Sequence, residues 1–244
     1  MSLADPRLFA GRLIVLDTET TGLDPKSGDR VVEIGCVELI GCVPSGNEFH
    51  CYINPLRDMP AGAEAIHGLS ATFLAQHPCF AEHAARLIAF LGDAPVIAHN
   101  APFDIGFLDH EFARCGHPPL TMTRAIDTIM LARARLPGAK HSLDALCIRY
   151  GIDRAARVKH GALVDARLLA EVYIELIGGR QIGLSLGIAP ALRAGDLSAP
   201  AAAAPRPFHP PRPHAPSPEE TDRHRTFVSR LTDPLWRLLE DEPI

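Results

Sequence analysis

Proline fixes φ and has no backbone N–H, so it is kept out of helix interiors and paired central strands. This chain of 244 residues holds 22 prolines, and nine of them fall within residues 190–218. Nine alanines crowd into residues 189–218, where Asp196 is the one acidic side chain. A stretch so poor in large apolar groups cannot offset the entropy of ordering. It is expected to be a disordered, extended spacer. The fold must be built before it, and the thirteen scattered prolines suit turns and element ends.

The length admits one well-filled domain and a remainder. A net charge of −5 excludes a generally basic nucleic-acid-binding surface. It does not exclude a local grip on a strand, or one made through metal ions. No apolar run reaches the ~18 residues of a membrane helix, and the first residues lack the features of a signal peptide. A cytoplasmic protein without membrane contact is expected. None of the six cysteines stands in C-x-x-C or zinc-finger spacing, so they are expected to be reduced and mostly buried.

Residues 13–16 (Leu-Ile-Val-Leu) form a short apolar run ending in turn-prone residues, which predicts a buried strand. Residues 31–43 and 49–53 predict two more, with residues 44–47 (Pro-Ser-Gly-Asn) as the turn between them. A fourth strand is expected over 95–98. Helices are expected over 80–91, 103–115, 142–150 and 162–177, and residues 125–136 begin like a strand and continue like a helix. Three antiparallel strands followed by strands alternating with helices imply a mixed α/β sheet flanked by helices. Ser217-Pro218-Glu219-Glu220 reads as a helix start after the spacer. Within the 26-residue tail, Phe227 to Leu239 holds seven large apolar residues, too few for a core of their own, so a segment that docks on a partner is expected.

Three motifs carry chemistry. Asp17-Thr18-Glu19-Thr20 follows the first strand, and in extended chain the side chains of residues 17 and 19 share one side. Two adjacent acids persist there if a cation is bound or one is protonated, and hard divalent ions prefer such oxygens. Acids in a turn are common, so this motif alone decides little. His99-Asn100-Ala101-Pro102-Phe103-Asp104 follows the fourth strand and puts Asp104 near a helix start; His99 and Asn100 either contact a ligand or close the turn. His160-Gly161-Ala162-Leu163-Val164-Asp165 puts a histidine before a helix and an acid in its first turn. That histidine is either a base acting near neutral pH or a helix cap.

Together the motifs resemble the DEDDh 3′→5′ exonucleases of the ribonuclease H-like fold. His160 stands five residues before Asp165, as the histidine subclass requires, and Gly161 occupies the place of the tyrosine of the other subclass. More narrowly, LDTETTGL, VVEIGCVEL, FHCYINP, AIHGLS, IAHNAPFDIGFLDHEF and KHGALVDARLLAEVY are similar to the epsilon, or proofreading, subunits of bacterial DNA polymerase III. The resemblance spans residues 13–179. It implies a five-stranded mixed sheet and two divalent ions, Mg²⁺ or Mn²⁺, on Asp17, Glu19, Asp104 and Asp165, with His160 as general base. It also implies a pocket for the 3′-terminal nucleotide formed by Thr18, Glu19, Thr20, His67, His99, Asn100 and Phe103. Independently of it, Lys140, Arg149, Arg154, Arg157 and Lys159 cluster in sequence, either to neutralise phosphates of an incoming strand or as ordinary solvated surface.

The expected organisation is an exonuclease domain over 1–180, a linker over 181–218 and a docking segment over 219–244. The resemblance implies three protein partners: the polymerase catalytic (alpha) subunit, the sliding clamp and a small theta-type subunit. The tail, with Leu235 and Trp236 as anchors, would hold the alpha subunit, since Trp is enriched at interface hot spots. Gln181, Leu184 and Leu186 resemble a short clamp-binding peptide, although Arg180 separates them from the glycine pair. The rival readings are a stand-alone DEDDh enzyme acting on DNA or RNA, an inactive scaffold of the same fold, and a nucleotide-binding module without hydrolysis. No P-loop or G-x-G-x-x-G stretch supports the last.

Overall fold

The computed structural model describes residues 6–9, 11–155, 157, 159–178 and 215–232. Five strands form one sheet: β1 (Arg12–Thr20), β2 (Val31–Ile40), β3 (Val43–Tyr52), β4 (Val96–Ala98) and β5 (Ala125–Asp127), in the order β3-β2-β1-β4-β5. The β1–β2 and β2–β3 pairs are antiparallel, and β1–β4 and β4–β5 are parallel. The helices are α1 (Ala61–His67), α2 (Ala71–Leu74), α3 (Phe80–Leu91), α4 (Ala101–Arg114), α5 (Thr128–Arg135), α6 (Leu143–Tyr150), α7 (Ala162–Ile177) and α8 (Pro218–Val228). This is the mixed sheet flanked by helices that the strand and helix signals imply.

Alternation along β1 divides the core. Ile14 and Leu16 belong to one apolar cluster with Phe80 and Leu87 of α3 and Ile105 and Phe112 of α4. Leu13 and Val15 belong to the other, with Leu146 of α6 and Leu169, Val172 and Tyr173 of α7. Both faces of the central strand are therefore covered, which explains its unbroken apolar run. The side-chain period of 2 places Asp17 and Glu19 on the α7 face and Thr18 on the α4 face. Arg30 and Glu111 fix α4 to the start of β2 through a buried two-pronged ion pair of 2.6 and 2.7 Å.

Two expectations are corrected. The first strand does not end at Leu16: it runs through Asp17, Thr18 and Glu19, whose backbones pair with Gly35, Ile34 and Glu33 of β2. The acidic motif is thus part of the sheet rather than a turn. The β2–β3 turn is not Pro44-Ser45-Gly46-Asn47 but Gly41-Cys42, with φ of 57° and 63° between the paired residues Ile40 and Val43. Two left-handed residues suit a two-residue hairpin, whose twist matches its strands. Pro44 is accommodated because β3 is an edge strand. The short helices α1 and α2 have no counterpart in the sequence-based expectations.

All six cysteines are free thiols, as expected. Among the described residues no helix is long and apolar enough to cross a membrane. The helix expected from Ser217 is α8. Ser217 accepts from the backbone N–H of Glu220, whose side chain accepts in return from that of Ser217. Residues 179–214, with the linker and the clamp-like peptide, lie outside the described residues, as do residues 233–244 with Leu235 and Trp236.

Candidate active site

Three elements deliver the acids to one end of the sheet. Asp17 and Glu19 come from the end of β1, Asp104 from the first turn of α4, and Asp165 from the first turn of α7. Asp104 and Asp165 are each 3% exposed. Thr18 crosses to the α4 face and donates its hydroxyl to Asp104 Oδ1 at 2.7 Å. Gly35 of β2 lets α7 approach closely, for a Cβ there would stand 2.2 Å from the Leu163 nitrogen and 2.3 Å from the Ala162 carbonyl carbon. A side chain at residue 35 would push Asp165 out of the site.

The acids raise one another's proton affinity. Burial, then the charges of Asp104, Glu19 and Asp165, drive the Asp17 carboxyl well above its usual range. Burial and the neighbouring Glu33, Asp165 and Asp104 carry Glu19 up to about 8. Burial likewise raises Asp104, against the opposing hydrogen bond from Thr18. So many carboxylates cannot all ionise without a cation. Their oxygens are the donors that hard divalent ions prefer, and ligand atoms of Glu19, His160 and Asp165 lie within 4.8 Å of one another. The donor set fits a divalent metal centre.

His160 stands before α7, half exposed, with Nδ1 at 3.1 Å from Asp165 Oδ2. Arg157 caps the same carboxylate with Nε at 2.5 Å and Nη2 at 2.6 Å, and reaches Asp144 Oδ1 at 2.7 Å. Arg154 also pairs with Asp144, at 2.8 Å. Of the basic cluster, left open between a phosphate grip and ordinary surface, Arg157 is therefore turned inward onto acids and Arg154 is paired, while the Lys159 side chain lies over Gly68. Beside them a cleft of about 740 Å³ opens between α6 and His160.

The residues expected to grip the terminal nucleotide are placed as follows. His99 Nδ1 lies 2.9 Å from the Thr128 hydroxyl, which is 3.2 Å from the Ala98 carbonyl. The ring also bonds the backbone of His141, and burial lowers its pKa. Asn100 takes φ of 72°, and its N–H is held by Asp127 at 3.2 Å. Phe103 packs on Phe107 at 4.9 Å between centroids. Thr20 donates to the Gly22 carbonyl at 2.6 Å. His67 ends α1, is 6% exposed, and accepts at Nδ1 from Leu69 N–H at 3.0 Å, so its ring proton is on Nε2, toward the Thr20 backbone.

Sequence reasoning missed three groups: Glu33, Asp144 and the inward role of Arg157. Glu33 faces Glu19 across the β1–β2 ladder and pairs with His50 at 2.8 Å. Its signal was a lone acid in the apolar run VVEIG. Nothing in the sequence distinguishes Arg157 from its basic neighbours.

The model of the Exonuclease family (RNase_T) matches residues 14–173. The DNA polymerase III subunit epsilon of Rickettsia typhi is 53% identical over 173 residues, 70% of this chain and 76% of that protein. The chain belongs to this exonuclease family. The structure is similar to Exonuclease X in complex with 5′ overhanging duplex DNA, at 28% identity and TM-score 0.54 over 68% of this chain and 90% of the other. The nuclease domain of 3′hExo, a DEDDh family member bound to rAMP, shares the fold at TM-score 0.61 and 15% identity, covering 69% of this chain and 92% of its own. Like the family, the chain is a 3′→5′ exonuclease, and the family depends on divalent metal ions.

Proposed function

We propose that the chain removes mismatched 3′-terminal nucleotides from DNA as the proofreading subunit of a replicative polymerase, using two divalent ions, Mg²⁺ or Mn²⁺. What carries the reading is the gathering of Asp17, Glu19, Asp104, Asp165 and His160 at one sheet end, in a chain that aligns with epsilon subunits. Asp17, Glu19, Asp104 and Asp165 would hold the ions. Bound there, the ions supply charge neutralisation for the attacking and leaving oxygens of a phosphodiester. His160, at the open side of the centre, takes the proton of the attacking water. Thr18 holds the Asp104 carboxylate in place. His67, His99, Asn100 and Phe103 are assigned to gripping the terminal base and sugar. The product is a nucleoside 5′-monophosphate and a shortened 3′ end.

Polymerase III association belongs to the same reading, supported by the name of the relatives. Contact with the alpha subunit is assigned to the tail around Leu235 and Trp236, and contact with the clamp to Gln181, Leu184 and Leu186; a theta-type subunit completes the assembly. Unchanged clamp binding in Gln181→Ala would remove the clamp assignment.

Asp17→Ala tests the centre. The purified variant should keep the fold by circular dichroism and lose all measurable digestion of a mismatched primer–template in Mg²⁺. Near-wild-type digestion would overturn the metal assignment.

A further inference from the structure

Arg157 has a place that no phosphate-binding role explains. Its side chain is 9% exposed. Nε and Nη2 take both oxygens of Asp165 in a fork, the geometry in which a guanidinium binds a carboxylate most strongly. One of those two oxygens is also the atom that Asp165 contributes to the group formed with Glu19 and His160. A guanidinium and a divalent ion carry the same sign of charge and compete for the same lone pairs. The remaining arm, Nη1, rests on Asp144 Oδ1 at 2.7 Å. Asp144 is half exposed in the first turn of α6 and lies outside the acid cluster. A second anchor is thus in place for the guanidinium when it leaves the first.

His160 is tied to the same group. Its Nδ1 is 2.7 Å from Arg157 Nη2 and 3.1 Å from Asp165 Oδ2. One ring nitrogen cannot accept from the guanidinium and donate to the carboxylate at once. With Arg157 on Asp165, Nδ1 accepts, and the neutral ring carries its proton on Nε2. With Arg157 withdrawn, Nδ1–H can turn to a carboxylate, which leaves Nε2 open to receive a proton.

We propose that Arg157 is a positioning residue of the metal centre: an internal counter-ion that holds Asp165 and His160 while no divalent ion is bound, and that passes to Asp144 when one binds. The inference rests on the metal-binding reading of Asp165.

The test is Mn²⁺ binding by titration calorimetry on the metal-stripped full chain, without substrate. Arg157→Ala should tighten Mn²⁺ binding by about three- to tenfold, because a competing positive charge is removed. Asp144→Asn should weaken it by about threefold, because the guanidinium loses its second anchor and stays on Asp165. In the Arg157→Ala background, Asp144→Asn should have no further effect, a coupling that a merely structural arginine would not produce. Arg157→Lys, which keeps the charge without the fork, should fall between wild type and Arg157→Ala, and it replaces the alanine variant if that one does not fold. Unchanged or weaker Mn²⁺ binding on removal of the guanidinium would overturn the inference. A wild-type chain that takes up no Mn²⁺ would overturn the metal reading itself, and the inference with it.

Discussion

At the scale of single residues, the site is an arrangement that the fold tolerates rather than favours. Asp17, Glu19 and Asp104 are all driven toward protonation by burial and by one another. Removing one of these charges should therefore stabilise the metal-free chain while destroying activity, the usual conflict between a functional site and stability. Asp17→Asn is expected to raise the midpoint of thermal unfolding in a chelator by a few degrees, roughly what ~1 kcal/mol produces in a domain of this size. An unchanged or lower midpoint would mean that the carboxylates do not repel. For His160, the worth of a general base predicts a loss of about 10²–10⁴ in rate for His160→Ala. A loss much below that range would reassign the ring to positioning. That Asp17, Glu19, Asp104, His160 and Asp165 belong together was legible in the sequence through the resemblance their motifs carry, each motif marking a strand end or a helix start. Arg157 was not, because its role depends on which way a long side chain turns from an irregular stretch.

At the scale of elements, the site depends on how closely β2 and α7 approach. Gly35→Ala would place a methyl group 2.2–2.4 Å from the backbone of residues 162 and 163, and backbone cannot yield as a flexible side chain does. The expected cost is several kcal/mol, seen as a lower midpoint of thermal unfolding. The residual folded protein should also lose exonuclease activity, since Asp165 rides on the displaced turn. A second device lies at the far end of the same strands. Glu38 of β2 accepts from Ser45, Arg12 and Asn47 at 2.6–2.8 Å, and these hydrogen bonds hold its carboxyl down at about 2, against an ordinary value of 4.5. A lowered folded value gives stability that is fully present above about pH 4.5 and is lost as the pH falls toward about 2. Urea unfolding of Glu38→Gln should be weaker than wild type near neutrality by about 1–3 kcal/mol, with the gap closing across that acid window. A gap that does not change with pH would assign the loss to shape rather than charge. The hairpin that carries Ser45 and Asn47 also shows where sequence patterns mislead. Pro-Ser-Gly-Asn has the composition of a turn, yet Gly41-Cys42 turns the chain, because the twist of paired strands selects two left-handed residues. The short helices α1 and α2 were illegible for a related reason: at 7 and 4 residues they are too short for a helical period to show.

At the scale of the whole molecule, the proline cluster and the packed core lead to one experiment. Every strand of the sheet and both apolar clusters lie within residues 8–177. The four acids, His160 and Arg157 lie within the same span. A chain ending at Gly178 therefore keeps the whole core and the whole site. It should unfold in a single transition, with a midpoint within a few degrees of the full chain, and should digest a single-stranded 3′ end at the full chain's rate. On the proposed docking role of the tail, it would give up the high effective concentration that a tether confers on an enzyme working beside a polymerase. On a primer–template held by the polymerase, removal of a mismatch should then fall steeply at low protein concentration and recover as the truncated chain is added in excess. Its co-elution with the polymerase catalytic subunit should be lost. If the truncated chain still co-eluted, the docking surface would have to be sought on the exonuclease domain, and the apolar residues near Trp236 would need another use.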